Sequence, residues 1–128
     1  MPTILIVEDE RAARASLGRV LAQEGYRVKY AEEGMDALVV FEDENVDLVL
    51  LDLMLPGGMD GVAFLHTLRR DRRWKHTPVL VVSSISDADF VKHIKAGGAD
   101  GYLVKDKFEP AELLAQVRAH LEHAKAAC

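Results

Sequence analysis

The six residues Asp47-Leu48-Val49-Leu50-Leu51-Asp52 decide the fold of this chain. Four large apolar residues stand together with a carboxylate directly after them. A short, unbroken apolar run is typical of a strand that is buried on both faces, as in the middle of a parallel sheet. Asp52 follows where that strand leaves the core, and open parallel sheets bind their ligands at this edge. On its own, an aspartate here could equally cap the next helix.

The rest of the chain alternates strand and helix patterns. Further strands are predicted at Thr3–Val7, Tyr26–Ala31, Val79–Val82 and Tyr102–Val104. Apolar residues at helical spacing follow each strand and predict five helices, centred on 13–21, 37–41, 62–68, 90–94 and 113–121. Strict alternation predicts one α/β domain over residues 1–128. Its five-stranded parallel sheet has the order 2-1-3-4-5 and is flanked by five helices.

Composition limits the classes of function. The net charge is -5 at pH 7, which argues against direct binding of nucleic acid. Cys128 is the single cysteine, so no internal disulfide can form and the chain fits a reducing compartment. No signal peptide opens the sequence, and no apolar run approaches the length of a membrane span. We therefore expect a cytoplasmic protein with no membrane partner.

Reactive side chains follow four of the five predicted strands. They are Glu8 and Asp9 after the first strand, Asp52 after the third, Ser83 and Ser84 after the fourth, and Lys105 after the fifth. Each has an ordinary explanation by itself, as a helix cap, a turn residue or a solvated lysine. Because parallel strands end at one edge of the sheet, all of these side chains should meet there. We interpret the set as one site.

The chemistry of that site follows from its charges. Three carboxylates at about 5 Å repel one another by roughly 3 kcal/mol for each pair at an effective dielectric constant near 20. A divalent cation relieves this repulsion, and hard oxygen ligands beside phosphate suit Mg²⁺. A carboxylate nucleophile, a magnesium ion and a lysine are the groups needed to accept a phosphoryl group.

The motifs together resemble the receiver domain of bacterial response regulators, which has a flavodoxin-like fold. The resemblance rests on Glu8-Asp9, Asp52 with Pro56 four residues later, Met59-Asp60-Gly61, Pro78-Val79 leading to Ser83, and Gly101-Tyr102-Leu103-Val104-Lys105. It implies that Asp52 accepts a phosphoryl group from a histidine kinase or phosphotransfer protein. It also implies a downstream protein target on the face of the fourth helix, fifth strand and fifth helix, where Lys92, Lys95 and Tyr102 are the candidate contacts.

The same resemblance implies a role for each site residue. Glu8, Asp9, Asp52 and the backbone carbonyl of Met54 would hold Mg²⁺. Ser83 and Lys105 would bind the phosphoryl oxygens, with the backbone of Ser84 nearby. Tyr102 would swing inward when Ser83 moves toward the phosphoryl group. Such a domain is not an enzyme beyond phosphorylating itself from small donors and dephosphorylating itself.

Three positions depart from the family pattern. The loop Pro56–Gly61 is one residue longer than the common spacing, so we expect it to bulge. Asp106 follows Lys105 where the family usually has a proline after a cis bond. A non-proline cis bond costs about 3 kcal/mol, so a trans bond and a reshaped loop are expected. Ser84 is larger than the usual alanine or glycine and would narrow access to the phosphoryl group.

Other interpretations of the chain follow from particular residues. The altered loops also fit a receiver-like interaction module that works without phosphorylation. An aspartyl-phosphate phosphatase usually carries a second aspartate where Met54 stands, and a flavin phosphate would be repelled by the acidic turn after the first strand. The basic run Arg69–His76 beside Trp74 is interpreted as a solvated helix end and loop, and His120 and His123 as surface residues. Because nothing follows Cys128, we expect a stand-alone domain.

Overall fold

The computed structural model describes residues 1–127, and Cys128 lies outside them. Strands and helices alternate along the whole chain. They are β1 Thr3–Val7, α1 Arg11–Gln23, β2 Arg27–Ala31, α2 Gly34–Asp43, β3 Leu48–Leu51, α3 Gly61–Arg70, β4 Val79–Ser83, α4 Ala88–Ala96, β5 Gly101–Val104 and α5 Pro110–Ala127. All five predicted strands and all five predicted helices are present. No helix in this range is both long enough and apolar enough to cross a membrane.

The sheet has the predicted order, β2-β1-β3-β4-β5, and every neighbouring pair is parallel. In β1 and β3, Val7 pairs with Leu51, so the residues after them leave the sheet side by side. The backbone bonds continue past the strands: the Asp52 N–H donates to the Val7 carbonyl at 3.0 Å, and the Lys105 N–H to the Ser83 carbonyl at 2.8 Å. The register itself therefore brings the acidic and basic residues to one edge.

The core lies on both faces of the sheet because successive strand residues point to opposite sides. Leu5, Val7, Val49 and Leu51 belong to the apolar layer that α2, α3 and α4 cover. The residues between them in sequence belong to the layer under α1 and α5: Ile4, Ile6, Leu48 and Leu50. Strands β1, β3 and β4 are buried along their whole length, whereas β2 at the edge is largely half-buried or exposed. The central strands thus form a rigid support for the residues that follow them.

Arg69, near the end of α3, forms hydrogen bonds with two loops at the edge of the sheet where the strands begin. Its Nε donates to the Gly98 carbonyl at 2.9 Å, and its Nη1 to the carbonyls of Thr77 at 2.9 Å and Lys75 at 3.2 Å. Its Nη2 donates to Asp100 Oδ2 at 2.9 Å, an oxygen that also accepts the Val79 N–H. Burial lowers the pKa of Arg69, and the Asp100 charge opposes that shift. Arg69 therefore joins the end of α3 to the segments that precede β4 and β5.

The basic run from Arg69 to His76 is only in part the solvated segment expected from the sequence. Arg70, Arg72, Arg73, Lys75 and His76 are exposed, as expected. The expectation is wrong for Arg69, which is half-buried because its partners lie inside the fold, and Trp74 beside the run is half-buried as well. The Trp74 ring lies 5.2 Å from the Phe41 ring between centroids, and the Arg73 guanidinium lies 4.0 Å above it.

Candidate functional site

Three carboxylates meet at the edge of the sheet where the strands end. Glu8, Asp9 and Asp52 each offer an oxygen within 4.8 Å of the others, and no other group of three His, Cys, Asp or Glu residues does so within residues 1–127. Glu8 is 2% exposed and Asp52 is 7% exposed, whereas Asp9 is exposed. Glu10, not Asp9, occupies the N-cap position of α1, so Asp9 is not used as the cap. The cluster is thus buried at its base and open to solvent at Asp9.

Lys105 supplies a positive charge within this cluster. Its Nζ lies 2.6 Å from Glu8 Oε1 and 3.2 Å from Asp52 Oδ2. Burial lowers the pKa of Lys105, but its hydrogen bond to Glu8 and the charges of Asp52 and Glu8 outweigh this and raise it. Burial raises the pKa of Glu8 above 4.5; the bond from Lys105 opposes this and the neighbouring Asp52 adds to it. Both shifts follow from charges that the protein holds close together away from water.

The donor set of this cluster fits a magnesium ion. Three carboxylates face a single lysine, so two negative charges are left without a partner when all four groups are ionised. The ligands are hard oxygens from only three side chains, which leaves coordination positions for water or phosphate, as Mg²⁺ prefers. The exposed Asp9 gives a path from solvent. An acidic pocket of this kind is where receiver domains bind Mg²⁺.

The loop after β3 is held against the backbone of Asp52. The Gly61 N–H donates to the Leu53 carbonyl at 2.9 Å. A Cβ at Gly61 would lie 2.5 Å from Leu53 Cα and still closer to the Asp52 carbonyl oxygen. Only glycine fits this approach, because any side chain would displace the chain at Asp52. Asp60 then starts α3 by accepting the Ala63 N–H at 2.8 Å.

Within the longer loop Pro56–Gly61, Gly57 has a φ of 86°, which suits glycine. The side chain of Glu33 lies against Gly57, and the side chain of Met59 lies against Gly34. Glu33 and Gly34 are at the start of α2. Met54 is 67% exposed, and its N–H donates to Asp52 Oδ1 at 3.3 Å. An exposed side chain is compatible with a role for Met54 through its backbone carbonyl.

The expected phosphoryl-binding residues lie along the same edge, after β4 and β5. Ser83 is 1% exposed, and its Oγ accepts the Ile85 N–H at 3.2 Å. Ser84 is exposed. Tyr102 is half-buried against the apolar layer, and its hydroxyl donates to the Ile85 carbonyl at 2.7 Å. No sequence pattern indicates that Ile85 takes part, because it does so through its backbone alone.

Asp106 lies in the turn after β5, where the sequence predicts a trans peptide bond. No cis peptide bond occurs in residues 1–127, so the bond between Lys105 and Asp106 is trans as expected. Asp106 itself has a φ of 63°, in the left-handed region that aspartate tolerates better than most residues. The Lys107 N–H donates to the Val104 carbonyl at 3.1 Å and so closes the turn.

Comparison with known sequences identifies the family. Residues 4–118 match the model of the response regulator receiver domain. The transcriptional regulatory protein TcrA of Mycobacterium tuberculosis is 41% identical over 117 residues, which are 91% of this chain and 44% of that protein. The transcriptional activator protein IrlR of Burkholderia pseudomallei is 41% identical over 124 residues, 96% of this chain and 52% of IrlR. The chain thus spans about half the length of the curated relatives it matches.

Solved structures agree with this match. A CheY-like receiver domain protein of Methanospirillum hungatei superposes with a TM-score of 0.89 at 27% identity and covers 100% of this chain and 99% of that one. A putative response regulator of Chloroflexus aurantiacus has a TM-score of 0.88 at 32% identity, with 95% of this chain and 99% of that one covered. This chain therefore belongs to the response regulator receiver domain family and is a receiver domain of two-component signalling.

Proposed function

We propose that Asp52 is the phosphoacceptor and takes its phosphoryl group from a phosphohistidine of a histidine kinase or phosphotransfer protein. One observation carries the proposal: the Asp52 carboxylate is almost buried, yet lies in a cluster with Glu8, Lys105 and the solvent-exposed Asp9. A donor can reach such a carboxylate from one side only. The protein fixes its orientation on the other side.

In the proposed transfer, a carboxylate oxygen of Asp52 attacks phosphorus. The bond between phosphorus and the donor imidazole nitrogen breaks, and the imidazole keeps the electron pair while an acyl phosphate bond forms. The Lys105 ammonium, now 3.2 Å from Asp52 Oδ2, offsets negative charge on the phosphoryl oxygens. The Ser83 hydroxyl, whose oxygen accepts the Ile85 N–H, donates its own hydrogen to a phosphoryl oxygen.

We further propose that Glu8, Asp9, Asp52 and the backbone carbonyl of Met54 hold Mg²⁺. When bound, the ion neutralises phosphoryl oxygens during transfer. The excess of three carboxylates over one lysine supports this assignment. The exposed Ser84 would narrow access to the phosphoryl group.

The signal would leave the site through Ser83, Ile85 and Tyr102 and reach the surface formed by α4, β5 and α5. Lys92 and Lys95 of α4 are exposed on the same helix and are the proposed contacts for a downstream protein target. We propose that residues 1–128 form one cytoplasmic receiver unit that itself touches neither nucleic acid nor membrane. Its own chemistry would be limited to phosphorylation from small donors and self-dephosphorylation.

Intact-protein mass spectrometry with acetyl phosphate and Mg²⁺ tests the assignment. We expect the wild-type chain to gain one phosphoryl group and Asp52→Asn to gain none. Asp43→Asn, a change of the same kind at an exposed residue of α2, should label like the wild type. Equal labelling of Asp52→Asn would show that another residue is the acceptor. Absence of labelling in all three would instead favour an interaction module that works without phosphorylation.

A further inference from the structure

Arg14 of α1 reaches back to the backbone of the acidic turn after β1. Its N–H donates to the Glu10 carbonyl at 3.0 Å, so the residue lies one turn into the helix. Side chains of a helix lean toward its N-terminus, and the Arg14 side chain therefore extends toward Glu8 and Asp9. Its Nη1 donates to the Glu8 carbonyl at 2.9 Å and to the Asp9 carbonyl at 3.4 Å. The guanidinium thus binds the two peptide groups that flank Asp9.

The acidic turn is also held at two other points. The Glu8 N–H donates to the Ala31 carbonyl at 3.0 Å, and the Glu10 N–H donates to Glu8 Oε2 at 3.2 Å. These bonds involve the N–H groups of Glu8 and Glu10, whereas Arg14 binds the carbonyl groups of Glu8 and Asp9. Because rotation of those two peptide groups would turn the Asp9 side chain, the direction of its exposed carboxylate depends on Arg14.

A surface ion pair does not explain the position of Arg14. Its Nη1 lies 3.5 Å from Glu32 Oε1, but the Glu32 side chain is 66% exposed, and a pair of this kind contributes little. Helix α1 is not stabilised by this arginine either, because positive charge near a helix N-terminus is unfavourable. The Arg14 side chain is nevertheless only 17% exposed. Its hydrogen bonds to the acidic turn are the interactions that account for its position.

We propose that Arg14 is a positioning residue, which holds Asp9 in the direction that magnesium binding at the acidic cluster requires. The inference rests on the proposed magnesium site of Glu8, Asp9 and Asp52. Asp9 is the exposed member of that set, so its carboxylate has the most freedom to turn away from the other two. A ligand that is already held in place loses less conformational entropy when the ion binds, and the affinity for the ion is higher.

The positive charge of Arg14 opposes this role, and the two effects differ in sign. A guanidinium near a bound Mg²⁺ repels it, so loss of the charge alone should strengthen magnesium binding. Loss of the hydrogen bonds should weaken it, because a group that orients a metal ligand typically contributes about tenfold or more to affinity. An arginine that served only the stability of α1 would leave the affinity of the folded chain unchanged. Positioning by Arg14 therefore predicts that its removal raises the Kd for Mg²⁺.

Titration of the ¹⁵N-labelled full chain with Mg²⁺ measures this Kd from the backbone signals of Asp9, Asp52 and Met54. Arg14→Met keeps an unbranched side chain but has no hydrogen-bond donor, and we expect it to raise Kd about tenfold. Arg14→Lys keeps the charge but lacks the planar guanidinium that contacts both carbonyls, and it should raise Kd by a smaller factor. The same spectra show whether each variant is folded.

Three control variants separate the hydrogen bonds from the charge. Arg19→Met makes the same change at an exposed residue of α1, and Arg11→Met makes it at an exposed residue beside the acidic turn. Neither should raise Kd, because each removes a charge without removing a bond to the turn. Glu32→Gln removes the surface ion pair with Arg14 and should leave Kd within about twofold of the wild-type value.

An unchanged or lowered Kd in Arg14→Met would overturn the proposal, and so would an equal rise in Arg11→Met or Glu32→Gln. If Arg14→Met does not fold, the Kd of Arg14→Lys decides, and an unchanged value there would overturn the proposal as well. Failure of the wild type to bind Mg²⁺ would overturn the proposed magnesium site itself. Equally tight binding by the wild type and Arg14→Met would leave that site in place and remove only the role of Arg14.

Discussion

Ser83 and Tyr102 are held by the same residue, Ile85. Its N–H donates to Ser83 Oγ at 3.2 Å, and its carbonyl accepts the Tyr102 hydroxyl at 2.7 Å. A rotation of the Ser83 side chain that moves Oγ would break its bond with the Ile85 N–H, and any displacement of Ile85 would move the carbonyl that holds Tyr102. The two side chains are coupled through one backbone unit between β4 and α4.

Removal of the Tyr102 hydroxyl should therefore cost stability. Tyr102→Phe loses a half-buried hydrogen bond, and we expect the free energy of unfolding in urea to fall by about 1 kcal/mol. Tyr30→Phe makes the same chemical change on β2, where the side chain is 48% exposed, and should cost less. Equal losses in the two variants would mean that the bond to Ile85 contributes nothing.

Magnesium should stabilise the chain through Asp9. Binding to the folded state alone adds about 2.7 kcal/mol at a free ion concentration of about 100 times Kd. We expect Mg²⁺ to raise the urea midpoint of the wild type and to have much less effect on Asp9→Asn. Glu10→Gln, at the adjacent exposed acid, should respond like the wild type. A full response of Asp9→Asn would remove Asp9 from the ligand set.

The Gly61 position should tolerate no side chain. Gly61→Ala places Cβ against the backbone of Asp52 and Leu53, and overpacking of this kind typically costs about 1–3 kcal/mol. Gly58→Ala is the matched control, because nothing lies within 4 Å of a Cβ built there. Urea unfolding compares their stabilities, and acetyl phosphate labelling shows whether the shifted Asp52 still reacts. Similar stabilities for the two variants would contradict the close approach.

Stability in acid should depend on Asp71. The hydrogen bonds from the Arg73 side chain and backbone lower the pKa of Asp71 below 3.8. At a pH between the pKa of Asp71 in the folded chain and its pKa in the unfolded chain, the unfolded chain binds more protons. The stability that this shift contributes is therefore complete above about pH 3.8 and is lost as the pH falls through the pKa in the folded chain. Asp71→Asn should reduce the fall of the urea midpoint at low pH, and Asp43→Asn should leave that fall unchanged. An unchanged fall of the urea midpoint in Asp71→Asn would contradict the lowered pKa of Asp71.

The sheet order and the position of the acidic cluster were predictable from sequence because both depend on strand ends. Apolar runs such as Leu48–Leu51 mark the central strands, and parallel strands deliver the residues after them to one edge. That reasoning brings Glu8, Asp52 and Lys105 together without any knowledge of side-chain direction. The structure confirms this meeting, at 2.6 Å and 3.2 Å from the lysine.

Contacts made by backbone groups or by long side chains could not be predicted from the sequence. Ile85 acts through its N–H and carbonyl, which every residue except proline carries, so no pattern distinguishes it. Arg69 and Trp74 look like members of a charged loop, and only the path of that loop shows that they are half-buried.

The bonds of Arg69 also determine how α4 can respond to a signal. Gly98, two residues beyond the end of this helix, is held through its carbonyl by Arg69, which also binds Lys75, Thr77 and Asp100. The beginning of α4 follows the Ser83–Asp87 connection, where Ile85 lies. Because the Gly98 end is held, we expect a movement of that connection to displace Ala88 more than Ala96.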